Sequence, residues 1–470
     1  MRWLVGLVLL WTCLAACYQH IPSADLWWLL ADGRLISQSG HIPQRDPFSW
    51  SAPGAPWHND QWLSGWLAFQ VYGLGGLEAL HLVKALLITA SLVLMLDTGR
   101  RLRPDGQAGW LAPALAITLL GAEGRFFFDV RAYLFTYFGL ALLWRWLQLR
   151  PRQNPLALFA LFAIWGNLHG GVSGGLLLLG LTAAIRRDRQ LLGLTGLAAL
   201  AACCNPSGIW LLLHPLRLLG SPWGRYLNEW APVWRRPDLF RPCLLAMGAW
   251  VACAIVLRPS WAEEDLILLL FALFSLTGWR HMPLYALLAL PRWCLHLRGP
   301  AWCWQACGLG LLFWGGLKPL KLADPGQTLS LPVGPAQQIE VFPVQACNWL
   351  TDHPELPRKL AHPYGLGGYL LWRGFQVGID GRAVQVYPYE CYREYLAAAL
   401  PYAGGADDQA PARFEAYCQK NGLQLAMLFN VQKEAGLWLV QGNKRWRPVY
   451  SDPLVTLVAT EEVLSGLQSR

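Results

Sequence analysis

The chain has 470 residues, of which 54% are hydrophobic and 14% are charged, and its mean hydropathy is +0.30. Soluble domains carry about 25% charged residues, so this composition argues against a soluble protein and predicts a multi-span membrane protein. The net charge of +9 is not a nucleic-acid signal, because the basic residues gather at the ends of apolar runs, where they orient membrane spans.

Cysteine usage and short motifs narrow the possible classes further. Most of the 12 cysteines lie in or beside apolar runs, where a free thiol behaves as a small hydrophobe, and no metal-type CxxC spacing with partner histidines occurs. No GxGxxG, Walker loop, HExxH or GxSxG stands in a suitable context, so a nucleotide-driven cytoplasmic enzyme is unsupported. The 27 tryptophans favour rings placed at membrane–water interfaces.

Residues 1–18 are predicted to form the first span, which runs from the cytoplasm to the outside. LAAC at 14–17 resembles a lipoprotein cleavage box, so removal of residues 1–17 as a signal peptide is the alternative. Only Arg2 precedes the apolar run, which favours a retained helix. In both cases residue 20 lies outside the cytoplasm.

Residues 19–62 form a polar loop between this span and the long series of apolar runs that follows. The loop is predicted to lie on the outer membrane surface, where its Trp and Phe rings can sit half in the headgroups. Its acids are Asp25, Asp32, Asp46 and Asp60. A loop that holds acids and aromatic rings beside a bilayer is suited to bind a lipid-linked substrate.

Two sets of residues in this loop are candidates for chemistry. Asp25 could be a general base for a hydroxyl that attacks an activated carbon, with the ring of Trp28 as a substrate contact, although Asp25 could also be a helix N-cap. Asp46, His58 and Asp60 could bind a divalent cation, Mg²⁺ or Mn²⁺, or orient a sugar. The alternative for this second set is ordinary turn chemistry in the DP and ND dipeptides.

The remainder of residues 1–317 is predicted to complete a transmembrane domain of about eleven helices. Residues 62–76 are broken by glycines and are predicted to lie in the interface, and a mixed Trp/Arg/Pro stretch at 209–240 is predicted to be half-embedded on the outer side. Arginine-rich loops such as GRRLRP and RRDR mark the cytoplasmic side. The predicted spans after the loop are 78–98, 107–123, 127–147, 155–168, 171–185, 190–204, 241–257, 262–278, 283–297 and 301–317.

Polar groups able to do chemistry gather at the outer ends of these spans. Ionisable side chains at membrane depth are costly, so their convergence on one side favours a shared outward-facing cavity over a set of unrelated helix-end residues. An arginine fork suits a phosphate or diphosphate, although Arg131 could instead pair with Asp129, and a structural histidine is the alternative to a catalytic one. The candidates for substrate or phosphate binding are Arg125, Arg131, Asn167, His169, Arg280 and His281.

The composition changes after the last predicted span. Residues 318–343 are a linker punctuated by Pro and Gly, and residues 344–470 are predicted to form a soluble α/β domain. Helices are predicted at QACNWLTDH and RFEAYCQKNG, and strands at YLLW, FQVGI, LQLAMLFN, LWLVQG and WRPVYS. An odd number of spans after a cytoplasmic start places this domain outside the cytoplasm.

Several segments together resemble the GT-C class of membrane glycosyltransferases, which use polyprenyl-phosphate sugars. More closely, they resemble a largely uncharacterised bacterial multi-span membrane-protein family grouped with that class. The segments that carry the resemblance are DLWWLLADGRLISQSGHIPQRDPFSW, WHNDQWL, RAYLF, NLHGG, NPSG, LNEWAP, RHMPLYA and YGLGGYLLW with IDGR. They extend from residue 25 to residue 382, so the resemblance covers most of the chain.

The resemblance implies a GT-C fold with a catalytic acid in the first extracytoplasmic loop, a lipid-phosphate donor and an extracytoplasmic soluble domain. The first-loop acid of the family falls on Asp25 and the second acidic position on Asp46, so both are candidate catalytic residues. Asp60 occupies the acid of the HEWL-like motif. The family pattern DxxWHL has a histidine where this chain has Leu29 directly after Trp28.

The leading hypothesis is an inverting glycosyltransferase of the bacterial cytoplasmic (inner) membrane, acting on its outer face. It would move a sugar from a polyprenyl-phosphate donor to a glycan, lipid or protein acceptor. Arg131, with Arg125 or Arg280, would stabilise the departing phosphate. The alternatives are a transporter or flippase for a lipid-linked glycan, and a non-catalytic membrane subunit whose soluble domain binds a partner.

Overall fold

The structure is a computed structural model that describes residues 23–103, 129–149, 154–219, 232, 262–296, 342–399, 408–430 and 436–468. The chain divides into two compact units. The helical unit consists of Met1–Ile21 and Val71–Pro332, and the mixed unit consists of Pro22–Gln70 and Val333–Arg470. The first polar loop therefore belongs to the same unit as the C-terminal tail, whereas the sequence had grouped it with the transmembrane domain.

Helices dominate the described residues. In the first 300 residues they are α1 (Asp25–Ser39), α2 (Trp62–Leu102), α3 (Tyr133–Leu149), α4 (Pro155–Leu168), α5 (Val172–Ile185), α6 (Arg189–Ala202), α7 (Trp210–Leu219), α8 (Glu263–Ser275) and α9 (Met282–His296). In the tail they are α10 (Val344–Asp352), α11 (Gly367–Trp372), α12 (Tyr389–Ala399), α13 (Ala410–Lys420) and α14 (Glu461–Gln468). The strands are β1 (Leu425–Phe429), β2 (Trp446–Ser451) and β3 (Val455–Thr460).

Among the described residues, one helix, α2, is long and apolar enough to cross a membrane. Gly75 and Gly76 interrupt it, and Gly76 has a φ of +64°, a conformation that glycine adopts without strain. The break agrees with the predicted Gly-broken segment 62–76 followed by a span from 78. Helices α4 and α5 are also apolar but have 14 residues each, fewer than the ~20 that a span requires.

The coarse prediction of a helical protein with a small mixed α/β tail is therefore confirmed, and the count of about eleven spans stays a prediction. The predicted spans 1–18, 107–123, 241–257 and 301–317 lie outside the described residues, as does nearly all of the linker 318–343.

The core of the helical unit is built around indole rings that lie against glycines. The ring of Trp165 on α4 fits against Gly139 of α3 and Gly175 of α5, where an added Cβ would come within 2.7 Å and 2.5 Å of ring atoms. Its Nε1 donates to the hydroxyl of Thr136 at 3.1 Å. Trp144 on α3 donates to the carbonyl of Leu288 on α9 at 2.9 Å. Glycines thus set how closely these helices approach.

Ion pairs join the helices of this unit. Arg145 pairs with Asp97, Arg186 with Glu264, and Arg292 with Asp265, each at 2.8 Å. The pair of Arg292 and Asp265 is buried between α9 and α8. Arg186, which belongs to the RRDR run that predicted the cytoplasmic side, is therefore also the partner of an acid on a neighbouring helix.

The tail contains a three-stranded antiparallel sheet in the order β1-β3-β2. Leu425 of β1 lies opposite Ala459 of β3, and Trp446 of β2 lies opposite Thr460 of β3. The predicted helices at α10 and α13 and the predicted strands at β1 and β2 are confirmed, and β3 was not foreseen. The strand prediction for LWLVQG is wrong, because Leu437–Val440 form a 3-10 helix.

The strand prediction for YLLW is also wrong, because these residues belong to α11. A run of four apolar residues has no periodicity that separates a buried strand from a buried helix. The residues of FQVGI form isolated β-bridges and no continuous strand. Gln376 pairs with Lys359, and Val377 pairs with Ser49 of the first loop. This last bridge already links the loop to the tail.

Gly175→Ala is expected to destabilise the helical unit by about 1–3 kcal/mol, because a methyl group would overpack the Trp165 ring. Gly174→Ala is the matched control, since no atom lies within 4 Å of the added Cβ and alanine favours a helix. The measurement is the thermal unfolding midpoint of the full chain in detergent. Equal midpoints for the two variants would contradict the packing account.

Candidate functional site

The first loop and the tail are packed together through glycines. The Cα of Gly368, the last residue of the GLGG motif and the second residue of α11, lies against the carbonyl of Ala24, so that an added Cβ would collide with that oxygen. Gly367 lies in the same way against the carbonyl of Ile379, the first residue of the IDGR motif. The Trp27 ring meets the Tyr369 ring edge-on, with centroids 4.9 Å apart. Motifs separated by more than 300 residues thus form one joint, which we call the loop–tail joint.

Arg382 of the IDGR motif lies at the centre of the loop–tail joint. Its side chain is fully buried and its guanidinium donates to Asp46 of the loop at 2.6 Å and to Asp380 of the tail at 2.6 Å. The hydroxyl of Tyr387 also donates to Asp380 at 2.6 Å. A buried cation is stable only with such charged partners, because leaving it unpaired costs several kcal/mol.

Aromatic rings from both segments complete the surroundings of Arg382. The guanidinium carbon lies 4.9 Å from the ring centre of Trp57 and 5.1 Å from that of Phe48. Cation–π attraction is strongest when water is excluded, as it is here. Ala383, directly after Arg382, has a φ of +35°, which a residue other than glycine rarely adopts. The joint holds its backbone in that conformation.

The charges in the joint act on one another. Burial by itself raises the pKa of Asp380, but the charge of Arg382 and the hydrogen bonds from Arg382 and Tyr387 outweigh it and hold that pKa below its ordinary value. Burial, and next the charge of Asp380, raise the pKa of Tyr387. Burial by itself lowers the pKa of Arg382, but the two aspartates outweigh this effect and raise that pKa well above its ordinary value. The ion pair is therefore fully charged at neutral pH.

Asp46 was a candidate catalytic acid, and the structure gives it many bonds. One carboxylate oxygen accepts from Arg382 and from the backbone N–H of Phe48 at 3.0 Å. The other accepts from the N–H of Ser49 at 3.1 Å and from its hydroxyl. Asp46 is 3% exposed. A carboxylate that is buried and bonded at both oxygens favours a structural role over the catalytic role that the sequence suggested.

Asp25 lies at the edge of the same joint and is only half-buried. It is the first residue of α1, with Ala24 in the N-cap position, so the proposed alternative of Asp25 as the N-cap is wrong. The indole Nε1 of Trp28 donates to Asp25 Oδ1 at 3.1 Å. Gly381, between Asp380 and Arg382, lies so close to this carboxylate that an added Cβ would collide with Oδ1.

The other candidates in the first loop are also tied to the tail or to each other. Asp60 accepts from the side-chain amide of Gln385 at 2.9 Å. The backbone carbonyl of His58 accepts from the Asp60 N–H at 2.9 Å. Within the described part of the chain, no three His, Cys, Asp or Glu side chains are grouped so that they could hold a metal ion. The Mg²⁺ or Mn²⁺ site stays a prediction.

Asp32 is an acid whose importance the sequence did not indicate. It lies on the face of α1 that carries Asp25 and Trp28, and it is completely buried. Oδ2 accepts from the side-chain amide of Asn59 at 2.7 Å, whereas Oδ1 has no hydrogen-bond partner in the described structure. Burial raises the pKa of Asp32 to about 7, against smaller opposing effects of the bond from Asn59 and the charge of Arg382.

The helical unit brings together some of the predicted phosphate-binding residues. His169 Nδ1 lies 2.8 Å from the Thr136 hydroxyl and accepts the N–H of Gly171 at 3.0 Å. Arg280 and His214 lie close enough to act on His169 electrostatically. Arg280 acts in the same way on its neighbour His281, whose ring stacks on Phe274 with centroids 4.3 Å apart. The NLHGG and RHMP motifs therefore supply one group, the histidine–arginine group.

Two further candidates have structural partners. Asn167 donates to the carbonyls of Ala163 at 2.8 Å and Cys204 at 2.7 Å, and so connects α4 to the turn that follows α6. Arg131 lies 3.9 Å from Asp129, as in the alternative considered from the sequence. Arg125 lies outside the described residues.

The sequence matches no protein-family model and no curated protein. The likeness to membrane glycosyltransferases therefore rests on the motifs alone, and no family is assigned.

Replacing Arg382 by Met should destabilise the mixed unit by about 3–5 kcal/mol, because Asp46 and Asp380 would be left buried without a counter-charge. Arg447→Met is the control, since its pair with Glu461 is half-exposed and such pairs contribute about 0–1 kcal/mol. Chemical unfolding of the full chain measures both. If Arg382→Met loses no more unfolding free energy than the control, the buried pair does not hold the joint.

Asp32→Asn should change how stability depends on pH. The folded protein keeps the Asp32 proton up to about pH 7, whereas an unfolded aspartate releases it near pH 4. The stability that this proton provides is fully present below about pH 4 and is lost as the pH rises towards and through 7. The unfolding midpoint of the wild type should therefore fall relative to that of Asp32→Asn across this range. The exposed Asp352→Asn serves as control, and parallel curves for both variants would refute the assignment.

Proposed function

We propose that this protein is an inverting membrane glycosyltransferase that transfers a sugar from a polyprenyl-phosphate donor to an acceptor hydroxyl, with Asp25 as the general base. The observation that carries the proposal is the environment of Asp25. It is a half-exposed carboxylate held by an indole N–H and by a glycine turn, beside a buried arginine that is paired with two aspartates. Such a group is positioned yet still accessible, as a general base has to be.

The surface of the helical unit supports a place in the bilayer. In the described part of the chain, the large apolar side chains that are exposed lie in this unit, except for Trp66 and Leu437. An exposed apolar surface of this extent marks contact with a membrane or a partner, and its spread over many helices favours lipid. The exposed side chains are Leu74, Leu82, Leu86, Val93, Leu156, Ile164, Leu177, Leu192, Leu200, Ile209, Trp210, Leu213, Leu266, Leu270 and Leu273. The proposed location is the bacterial cytoplasmic membrane.

In the proposed reaction Asp25 takes the proton of the acceptor hydroxyl as its oxygen attacks the anomeric carbon. The bond from that carbon to the phosphate oxygen breaks, and the phosphate leaves with the electron pair. The sugar is transferred with inversion because there is one displacement.

The histidine–arginine group has the chemistry to bind a phosphate. Arg280 supplies a permanent positive charge, and the N–H groups of a guanidinium match phosphate oxygens. With Nδ1 of His169 accepting a backbone N–H, its Nε2 is the ring nitrogen that can donate. Within the helical unit, we assign this group to the binding of a phosphate. Asp46 and Asp60 take structural parts, since both are bonded to residues of the tail.

The non-catalytic alternative, in which the tail serves a partner, is less well supported. The IDGR motif would have to face that partner, yet Arg382 is buried against the first loop. Deletion of the tail is for the same reason a poor test of function, because it would leave Asp46 without its counter-charge. Point substitutions that keep the joint are the suitable test.

Asp25→Asn is expected to reduce kcat by a factor of roughly 10²–10⁴, the usual contribution of a general base, because an amide cannot take the proton. Binding of the lipid donor should be unchanged. The assay follows radiolabelled sugar from a set of polyprenyl-phosphate hexoses and pentoses into lipid, glycan or protein, in proteoliposomes.

Asp352→Asn provides the matched control, because Asp352 is exposed on the tail. Undiminished transfer by Asp25→Asn would remove Asp25 from the mechanism. Movement of intact lipid-linked glycan across the vesicle membrane without sugar transfer would favour the transporter instead.

A further inference from the structure

We propose that the turn Asp380–Gly381–Arg382 of the tail is a positioning element for Asp25, so that the tail is part of the active site. The inference rests on the proposed function of Asp25 and adds a component that the first loop alone does not contain. It assigns Gly381 and Trp28 as positioning residues and Arg382 as the anchor of the turn.

The first step of the argument is the contact itself. An added Cβ on Gly381 would collide with Asp25 Oδ1 and lie 2.9 Å from Trp28 Nε1, the atom that donates to the same oxygen. The backbone of the turn therefore lies directly on the hydrogen bond between Trp28 and Asp25. Only glycine leaves room for both groups at this position.

The second step is the rigidity of the turn. The residues on each side of Gly381 form the buried ion pair, and the N–H of Arg382 donates to Asp380 Oδ1 at 2.9 Å. Asp46 holds Arg382 from the loop side at 2.6 Å. A turn fixed by buried charges on both sides cannot move away from Asp25 without breaking them. Its position, and hence that of the Asp25 carboxylate, is set by the joint.

The third step concerns what a substitution would change. The atom that an alanine at 381 meets first is the end of the Asp25 side chain, which can rotate away more easily than backbone can move. Gly381→Ala should therefore displace the carboxylate and leave the fold in place. By contrast, Gly367 and Gly368 lie against backbone carbonyls, where a methyl group would force the joint apart.

The test measures the position of Asp25 directly, independently of any activity. The full-length protein in detergent is treated with a water-soluble carbodiimide and glycine ethyl ester, and the rate of amide formation at Asp25 is followed by mass spectrometry. Labelling should be several times faster in Gly381→Ala than in the wild type. Gly365→Ala, in the same glycine-rich segment but with nothing within 4 Å of its added Cβ, should label like the wild type.

A second variant covers the case in which Gly381→Ala does not fold. Trp28→Phe keeps a ring but removes the N–H donor, so it should also speed the labelling of Asp25 without adding volume. If both variants fold and label Asp25 at the wild-type rate, the proposal is overturned. If Gly381→Ala does not fold, a wild-type labelling rate in Trp28→Phe alone overturns it.

Kinetics separate this inference from the proposed function. A misplaced base should cost roughly 100-fold in kcat with KM for the donor unchanged, and the pH profile of kcat should shift in Gly381→Ala. If Asp25→Asn is inactive while Gly381→Ala has the rate and pH profile of the wild type, the positioning role fails and the function stands. If Asp25→Asn is fully active while Gly381→Ala still exposes Asp25 to labelling, the base role fails and the structural inference stands.

Discussion

The buried guanidinium of Arg382, held between Asp46 and Asp380, is the interaction on which the mixed unit depends. Asp46 and Arg382 are 336 residues apart in the chain, so their pair exists only when the loop and the tail are folded together. A buried ion pair adds little net stability over apolar packing, yet it penalises every arrangement in which one partner is left alone. Its contribution here is specificity, because it permits a single alignment of loop on tail.

That alignment explains the glycines of the motifs. Gly367, Gly368 and Gly381 each lie where a side chain would meet a carbonyl or the Asp25 carboxylate. The charged pair determines which surfaces meet, and the glycines allow them to approach to backbone contact. The helix α1 is fixed in this way from its first residue, and with it the direction in which Asp25 projects.

The acids of the first loop take different roles because their surroundings differ. Asp46 has a counter-charge and bonds at both oxygens, which suits a structural anion. Asp32 is buried with one oxygen unpartnered, and the desolvation favours its protonated form. Asp25 is half-exposed, with the Trp28 indole N–H and a glycine turn beside it, which suits proton transfer. Three chemically identical side chains on neighbouring segments thus differ in their partners and in access to solvent.

The sequence by itself determined the class of structure: helices with apolar surfaces, a small α/β tail, and a polar loop rich in acids and aromatic rings. These follow from composition and local periodicity, which act over a few residues. It also marked both the DLWW and IDGR segments, but it could not indicate that they touch, because a contact between segments so far apart in the chain leaves no local pattern. Nor could it separate Asp25, Asp32 and Asp46, or show that YLLW is helical. The roles of the three acids depend on their burial and on the hydrogen-bond partners of their carboxylate oxygens, and the helix at YLLW has no local periodicity to mark it. Only the tertiary structure decided both.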